Sequence, residues 1–187
     1  GYSHLNITHV VITHLHFDHA GGATILNKSG DVIPAFPNAK YYVSEENWVA
    51  ANRPNPKDRA SYLEENFKVL KDLGSLVLIP DNYHILNGLS TYIVNGHTRG
   101  QQLVKIESEG QTVVFCSDLI PLKSHLKLPW IMGYDLNASL TLIEKENFLN
   151  LASDKGWILF FYHDPETVAV KIKKDNNKYV ITDEYSA

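Results

Sequence analysis

Three histidines and an aspartate fall within six residues near the start of the chain, in the segment Thr13-His14-Leu15-His16-Phe17-Asp18-His19-Ala20-Gly21-Gly22. The preceding run, residues 7–15, alternates and is rich in Val, Ile and Thr, which predicts a β-strand that ends as the histidines begin. Side chains two residues apart on a strand point the same way, so His14 and His16 would share one face. Asp18 and His19 would follow in a turn, with a short helix over residues 22–27 behind the glycines.

This concentration of imidazoles favours a metal site. A lone histidine on a strand is usually a structural residue. Several imidazoles buried together without a metal, however, would be electrostatically costly. One metal could be held by His14 and His16, while Asp18 and His19 face a second position close by.

Length and composition describe one ordinary globular domain over residues 1–187. The hydrophobic content of 44% and charged content of 20% are typical of such domains. A net charge of -4 without a basic run argues against nucleic acid as a partner. The sequence has no apolar run of about 18 residues that would span a membrane. A single cysteine excludes an internal disulfide, so nothing points to an oxidising compartment and a cytoplasmic location is expected.

Periodicity and turn residues predict the remaining elements. Helices are expected over residues 45–52, with Ser44 as N-cap, over residues 57–73, and over residues 141–154, where Thr141 and Glu144 have the spacing of a capping box. Strands are expected over residues 40–43, 76–79, 84–86, 90–94, 102–107, 112–116, 157–162, 168–173 and 178–182. Residues 119–137 predict a long irregular loop that lines a pocket.

The pattern His14-x-His16-x-Asp18-His19 followed by two glycines resembles the signature of the metallo-β-lactamase superfamily, and its lactonase-type branch in particular. The resemblance implies an α/β fold, the αββα metallo-β-lactamase-like sandwich. Members carry several strands before this motif, whereas here the chain opens on Gly1, a few residues ahead of it. By that comparison the sandwich is expected to be N-terminally incomplete, with the chain forming the C-terminal, larger part of the family domain.

A second segment, Asn95-Gly96-His97-Thr98-Arg99-Gly100, is similar to the family's Gly-His-Thr-Pro-Gly segment. A histidine held between glycines after a strand is a reasonable ligand position. Arg99 replaces the proline of the family segment, and Gln101 stands where a second histidine often does. These departures affect the surroundings of His97 and not the predicted ligand itself.

Two further positions match the family pattern. Asp118 follows the strand predicted over residues 112–116, where the family has a Gly-Asp pair whose carboxylate bridges two metals. His163 follows the apolar strand predicted over residues 157–162 and matches the last ligand of the family. Without the other motifs, Asp118 would be interpreted as a turn residue. Cys116, within an apolar run, is predicted to be a buried structural thiol.

The resemblance therefore implies a binuclear metal centre with ligands from widely separated segments. The metal ligands it implies are His14, His16, Asp18, His19, His97, Asp118 and His163. Nitrogen and oxygen donors without thiolate suit two divalent ions, Zn²⁺ first, with Mn²⁺ or Fe²⁺ as other options.

The implied function is that of a binuclear metal-dependent hydrolase. Two ions about 3.5–4 Å apart can share a hydroxide, because metal binding brings the pKa of water to about 7. That hydroxide would cleave an ester, lactone, thioester or phosphoester in a small-molecule substrate, with Asp18 or Asp118 handling the proton as a catalytic residue. True β-lactamases place a cysteine where this chain has Asp118, which disfavours β-lactam hydrolysis. Acyl-homoserine lactonases have a catalytic tyrosine where this chain has Pro121, so the substrate stays open.

Two alternatives also stay open. One is an iron-dependent dioxygenase of the same superfamily, acting on persulfides. The other is a catalytically incomplete metal-binding fragment, whose uncovered sheet face would invite homo-oligomer formation or association with a missing N-terminal segment. His125, in the predicted loop, fits a substrate contact and a solvent-facing residue equally well.

Overall fold

The computed structural model describes residues 1–186. Within them the chain forms two compact units, Gly1–Pro80 and a second that begins at Asp81. Both units combine strands with helices, as predicted for an α/β chain. None of the helices in residues 1–186 combines the length and apolarity needed to cross a lipid bilayer. The assignment of the whole chain to a single domain remains a prediction.

The first unit contains a parallel sheet and a short hairpin. Its strands are β1 (His9–Val11), β2 (Thr24–Leu26), β3 (Val32–Pro34), β4 (Lys40–Ser44) and β5 (Leu76–Ile79), and its helices are α1 (Phe17–Ala20), α2 (Glu45–Asn52) and α3 (Lys68–Asp72). The parallel sheet has the order β1-β4-β5, and β2 pairs with β3 in antiparallel fashion. Fully buried side chains, among them Leu15, Tyr41, Val43, Phe67 and Leu70, form the core of this unit.

Strand β1 is shorter than the strand predicted over residues 7–15. It ends at Val11, so His14 and His16 lie in the irregular segment after the strand and not on it. In that segment the N–H of Leu15 donates to the side chain of Asn47 at 2.8 Å. A side chain from α2 therefore takes the place of a neighbouring strand, which explains why alternation alone overestimated the length of β1.

The two other corrections in this unit concern helices. The helix predicted over residues 22–27 is wrong, because Thr24–Leu26 forms β2 and the helical turn α1 lies earlier, at Phe17–Ala20. The helix predicted over residues 57–73 is reduced to α3, preceded by 3-10 turns at Arg59–Ser61 and Glu64–Asn66. Local side-chain hydrogen bonds compete with a helix there: the carboxylate of Asp58 accepts from the N–H of Asn55 at 3.1 Å.

The second unit is built on an antiparallel-rich sheet with one long helix. Its strands are β6 (His84–Leu86), β7 (Leu89–Val94), β8 (Gln101–Ser108), β9 (Gln111–Phe115), β10 (Ile158–Phe160), β11 (Thr167–Asp175) and β12 (Lys178–Ser186), and its helix is α4 (Ala138–Lys155). Within the described residues the sheet order is β12-β11-β10-β9-β8-β7-β6, and only the β9–β10 pair is parallel. Side chains of α4, including Phe148 and Leu149, are fully buried in the core with residues of the sheet.

Helix α4 begins earlier than predicted and ends as predicted. The side chain of Asn137 accepts from the N–H of Leu140 at 3.1 Å, so Asn137 is the N-cap. The capping box expected from Thr141 and Glu144 is therefore wrong. Gly156 ends the helix in the left-handed conformation, with φ of 65°.

Candidate metal centre

Four of the predicted ligands come together in the first unit, and we call them the N-terminal cluster: His14, His16, Asp18 and His19. The ring centroid of His14 lies 4.6 Å from that of His16 and 4.1 Å from that of His19. The Nε2 atom of His19 lies 3.4 Å from Oδ2 of Asp18. The side chain of His19 is 3% exposed and that of Asp18 is 39% exposed, so the cluster extends from the interior to the surface.

Backbone hydrogen bonds around His16 place the members of the N-terminal cluster. On one side, Leu15 is fully buried and bound to Asn47, whose own N–H donates to Ser44 Oγ at 3.0 Å at the start of α2. On the other side, the carbonyl of His16 accepts from the N–H groups of His19 and Ala20, at 3.0 and 2.9 Å. The imidazoles are thus fixed by the first turns of two helices.

Three predicted ligands come together in the second unit, and we call them the C-terminal cluster: His97, Asp118 and His163. Oδ2 of Asp118 lies 3.2 Å from Nε2 of His97, and Oδ1 of Asp118 lies 3.2 Å from Nε2 of His163. The three residues follow β7, β9 and β10 respectively. The buried carboxylate of Asp118 thus presents one oxygen to each of two imidazoles, and its role as a bridging metal ligand remains a prediction.

The turn that carries Asp118 has an unusual backbone. Ser117 adopts the left-handed conformation with φ of 46°, at the position where the related pattern has glycine. The side-chain amide of Gln101 donates to Ser117 Oγ at 3.0 Å, and both residues are fully buried. The Oε1 atom of Gln101 accepts no hydrogen bond within the described residues. This buried hydrogen bond between Gln101 and Ser117 supports the backbone turn immediately before Asp118.

Asp164 is a turn residue. Its carboxylate accepts from the N–H groups of Lys123, Glu166 and Thr167 at 2.8, 3.1 and 2.8 Å. Burial raises the pKa of Asp164, but the three N–H donors outweigh that effect and lower the pKa below its usual range. In addition, the N–H of His163 donates to the Pro121 carbonyl at 3.1 Å. The backbone around His163 is thereby tied to the segment that follows Asp118.

The donor set fits a pair of divalent metal ions. The two clusters together offer five imidazoles and two carboxylates, which are nitrogen and oxygen ligands suited to Zn²⁺, Mn²⁺ or Fe²⁺. The thiol of Cys116 is fully buried in the core, and burial raises the pKa of that thiol. It therefore remains protonated and is not a thiolate ligand. The grouping of all seven residues around one pair of ions remains a prediction.

The segment after Asp118 is largely irregular, as predicted, with 3-10 turns at Ser117–Leu119 and Lys123–Leu126. It carries large exposed side chains, including Trp130 and Tyr134. His125 is half-buried in the second of these turns. Burial, followed by the positive charge of Lys145, lowers the pKa of His125 and favours its neutral form.

Two residues around His97 were not identified from the sequence. Asp135 lies in the irregular segment before α4, and its Oδ1 is 3.0 Å from Nδ1 of His97. Glu144 accepts from the N–H groups of Asn95 and Gly96 at 2.8 and 2.9 Å. Neither contact leaves a periodic signal in the sequence, because the partners are 38 to 49 residues apart.

Comparison with known proteins bears out the family and the fold. A family model described as the metallo-beta-lactamase superfamily matches residues 1–163. The chain belongs to this superfamily. The predicted α/β fold of metallo-β-lactamase type is confirmed by this match and by solved structures of the same fold.

Several relatives of the chain are N-acyl homoserine lactonases. An N-acyl homoserine lactonase from Bacillus cereus is 28% identical over 169 residues, a stretch that covers 89% of this chain and 59% of the lactonase. Similar matches extend to N-acyl homoserine lactonases of Bacillus thuringiensis, with the same identity and coverage. The chain thus spans about three fifths of the length of these superfamily members.

Two solved structures extend the comparison. A probable metal-dependent hydrolase from Staphylococcus aureus superposes with a TM-score of 0.88 at 27% identity, covering 100% of this chain and 65% of the other. An N-acyl homoserine lactone hydrolase, with N-hexanoyl-L-homoserine bound at its catalytic metal centre, superposes with a TM-score of 0.67 at 26% identity. That match covers 88% of this chain and 59% of the hydrolase.

Proposed function

We propose that this superfamily member is a binuclear metal-dependent hydrolase whose N-terminal and C-terminal clusters together hold two metal ions. The observation that carries the proposal is the position of Asp118, which faces His97 with one carboxylate oxygen and His163 with the other, at 3.2 Å each. In the proposed site, His14, His16 and His97 bind one ion, Asp18, His19 and His163 bind the second, and Asp118 contacts both. Zinc suits this donor set best.

When bound, such ions supply an activated water and a Lewis acid for the carbonyl or phosphoryl oxygen of the substrate. The two carboxylates of the chain have different surroundings and take different roles. Asp118 is buried between two imidazoles, so it acts in binding and orientation. Asp18 is 39% exposed, so its carboxylate could accept the proton that the activated water loses and return it to the leaving group.

A lactone is the first substrate class to test. The chain is 28% identical, over 89% of its length, to an N-acyl homoserine lactonase. Pro121 stands where the related pattern has a tyrosine, so aryl esters, thioesters and phosphotriesters belong in the same panel. Self-association, or association with an N-terminal segment, remains a separate prediction for this chain.

Elemental analysis combined with a substrate panel tests the proposal. The purified chain is expected to carry zinc and to hydrolyse at least one member of the panel, losing activity with chelator and regaining it with Zn²⁺. An Asp118→Ala variant is expected to lose both zinc and turnover. Asp183→Ala removes an exposed carboxylate and serves as the matched control. Unchanged zinc stoichiometry in the Asp118→Ala variant would contradict the assignment.

A mutant cycle tests whether the two clusters share their ions. His16 and His97 are proposed to bind the same ion, so the loss of zinc affinity in the double alanine variant should be smaller than the sum of the single losses. His16 and His163 are proposed to bind different ions, so their losses should add more closely. Equal additivity in both pairs would refute the proposed ligand grouping. Iron retained through purification, together with oxygen uptake on a persulfide, would instead support the dioxygenase alternative.

A further inference from the structure

The two ring nitrogens of His97 face two different carboxylates. Nε2 lies 3.2 Å from Oδ2 of Asp118, within the C-terminal cluster, whereas Nδ1 lies 3.0 Å from Oδ1 of Asp135. A carboxylate oxygen only accepts hydrogen bonds, and the contact with Asp135 is the shorter of the two, which favours Nδ1 as the protonated nitrogen of the neutral ring. In that tautomer the lone pair of Nε2 is directed toward Asp118.

Asp135 is itself held in place. Its side chain is 1% exposed, and that of His97 is 3% exposed, so water does not compete for the contact. The two residues after Asp135 are tied to the same turn: the N–H of Leu136 donates to the carbonyl of His97 at 3.1 Å, and the N–H of Asn137 donates to the carbonyl of Gly96 at 2.8 Å. The segment 135–137 therefore binds both the backbone and the ring of the His97 turn.

The N-terminal part of α4 also binds the backbone of the segment that carries His97. The carboxylate of Glu144 accepts from the N–H groups of Asn95 and Gly96. The side chain of Asn95 accepts from the N–H of Gly100 at 2.8 Å, which closes the turn around His97. Glu144 thus fixes the backbone of the turn through two N–H groups. Glu144 therefore positions the backbone of the His97 turn, whereas Asp135 positions the imidazole ring of His97.

We propose that Asp135 is a positioning residue that sets the Nδ1–H tautomer and the orientation of His97, so that Nε2 is the nitrogen available to a metal ion. The inference rests on the proposed function, because it concerns a ligand of the proposed centre. Metal-binding histidines commonly donate their other ring N–H to a carboxylate, and loss of such a partner typically lowers metal affinity by about 10 to 100-fold. Asp135 belongs to the segment before α4 and to neither cluster.

The first readout is the tautomer of His97 in the metal-free protein, measured from ¹⁵N chemical shifts of the histidine rings. The His97→Gln variant assigns the signal. The wild-type chain is expected to show Nδ1–H, and Asp135→Ala is expected to lose that tautomer. Asp135→Asn retains an oxygen acceptor and should restore it in part. Glu144→Gln, which alters the same turn, should leave the tautomer unchanged.

The second readout is zinc affinity, measured by competition with a chelator. Asp135→Ala is expected to bind zinc about 10 to 100-fold more weakly than the wild-type chain, with Asp135→Asn between them. The melting temperature of metal-free Asp135→Ala should not fall further than that of Glu144→Gln. An Asp135→Ala variant that keeps the Nδ1–H tautomer, or that binds zinc as tightly as the wild type, would overturn the inference.

Failure of the proposed function gives a different result. If the wild-type chain binds no zinc, the two-metal hydrolase proposal is overturned. The role inferred for Asp135 is then overturned with it. If the wild-type chain binds zinc but the Asp135 variants match it, only the positioning role is overturned. If Asp135→Ala and Glu144→Gln lose the tautomer equally, Asp135 supports the turn as a whole and the specific role is likewise overturned.

Discussion

Gly96 and Thr141 approach each other more closely than any side chain at position 96 would permit. A Cβ atom built on Gly96 would lie 2.4 Å from both the backbone nitrogen and Oγ1 of Thr141, and 2.6 Å from its Cα. These are largely backbone atoms in the first turn of α4, so they cannot move aside independently. The glycine before His97 is therefore required by the packing of a helix and not by its own φ.

Gly96→Ala is predicted to lower the free energy of unfolding by about 2 to 4 kcal/mol, since overpacking against a rigid helix forces backbone shifts. Because the displaced turn carries His97, zinc affinity should fall as well. Chemical denaturation and chelator competition measure the two effects. Gly133→Ala is the matched control, because a Cβ there meets no atom within 4 Å. Equal stability of the two variants would contradict the close packing described here.

Ser117 offers a second prediction, which separates backbone strain from a hydrogen bond. Its φ of 46° disfavours any residue with a Cβ by about 1 kcal/mol, while its Oγ accepts from the buried amide of Gln101 at 3.0 Å. Ser117→Ala keeps the strain and removes the acceptor, so it should cost about 1 to 3 kcal/mol. Ser117→Gly also removes the acceptor but relieves the strain, so it should cost about 1 kcal/mol less.

Urea unfolding of the two Ser117 variants under identical conditions checks this difference. A Gln101→Leu exchange in each background tests the hydrogen-bond part, because removing the donor as well should reduce the cost of losing the acceptor. The prediction fails if Ser117→Ala and Ser117→Gly are equally stable. In that case the left-handed backbone beneath Asp118 would carry no measurable strain.

The elements best predicted from the sequence are those in which one local signal decides the structure. The strands predicted over residues 102–107 and 112–116 form the hairpin of β8 and β9, which turns at Glu109 and Gly110, both with positive φ. Helix α2 begins behind Ser44, whose Oγ accepts from the N–H of Asn47 as an N-cap should. The members of the N-terminal cluster could be predicted to lie together because they fall within six residues of the sequence.

The elements predicted wrongly are those in which a distant partner outweighs a local preference. His14 and His16 leave the strand because Asn47 binds the backbone between them. Glu144 has capping-box spacing from Thr141, yet its carboxylate accepts a hydrogen bond from the N–H of Gly96. Asn137 caps the helix instead. Contacts of this kind join segments that are far apart in the sequence, and the periodicity of a single sequence carries no signal of such tertiary contacts.

Asp164 gives a prediction with a defined pH dependence. Its folded pKa is lowered overall, because three backbone N–H donors outweigh the opposing effect of burial. The carboxylate therefore contributes stability above its ordinary pKa of 3.8, and this contribution is lost as the pH falls through the lower folded value. Asp164→Asn should cost about 1 to 3 kcal/mol at pH 7 and progressively less as the pH falls below 4.

Denaturant unfolding of chelator-treated wild type and Asp164→Asn at a series of pH values between 7 and 2.5 measures the difference. Asp183→Asn, an exchange of an exposed carboxylate on β12, corrects for the general effect of removing one negative charge. A cost for Asp164→Asn that stays constant across this range would show that the N–H donors do not depend on the charge of Asp164.

Lys145 is a fully buried lysine whose Nζ donates to the backbone carbonyls of Lys127 and Trp130, at 3.2 and 2.5 Å. Burial lowers the pKa of Lys145 from 10.5 to about 8, although the negative charge of Asp135 acts in the opposite direction. Between these two values the unfolded chain binds more protons than the folded chain does. The free energy of unfolding should therefore rise with pH in this window, by about 2 to 3 kcal/mol.

A comparison with Lys145→Met isolates this contribution, because methionine fills similar space without a titratable group. The difference in free energy of unfolding between wild type and Lys145→Met should shift in favour of the wild type as the pH is raised from 7.5 to 10. Lys155→Met, at the exposed end of α4, serves as the control and should show no comparable shift. A pH-independent difference for Lys145→Met would mean that the buried amine stays charged throughout, held by the two carbonyls that it joins to the helix.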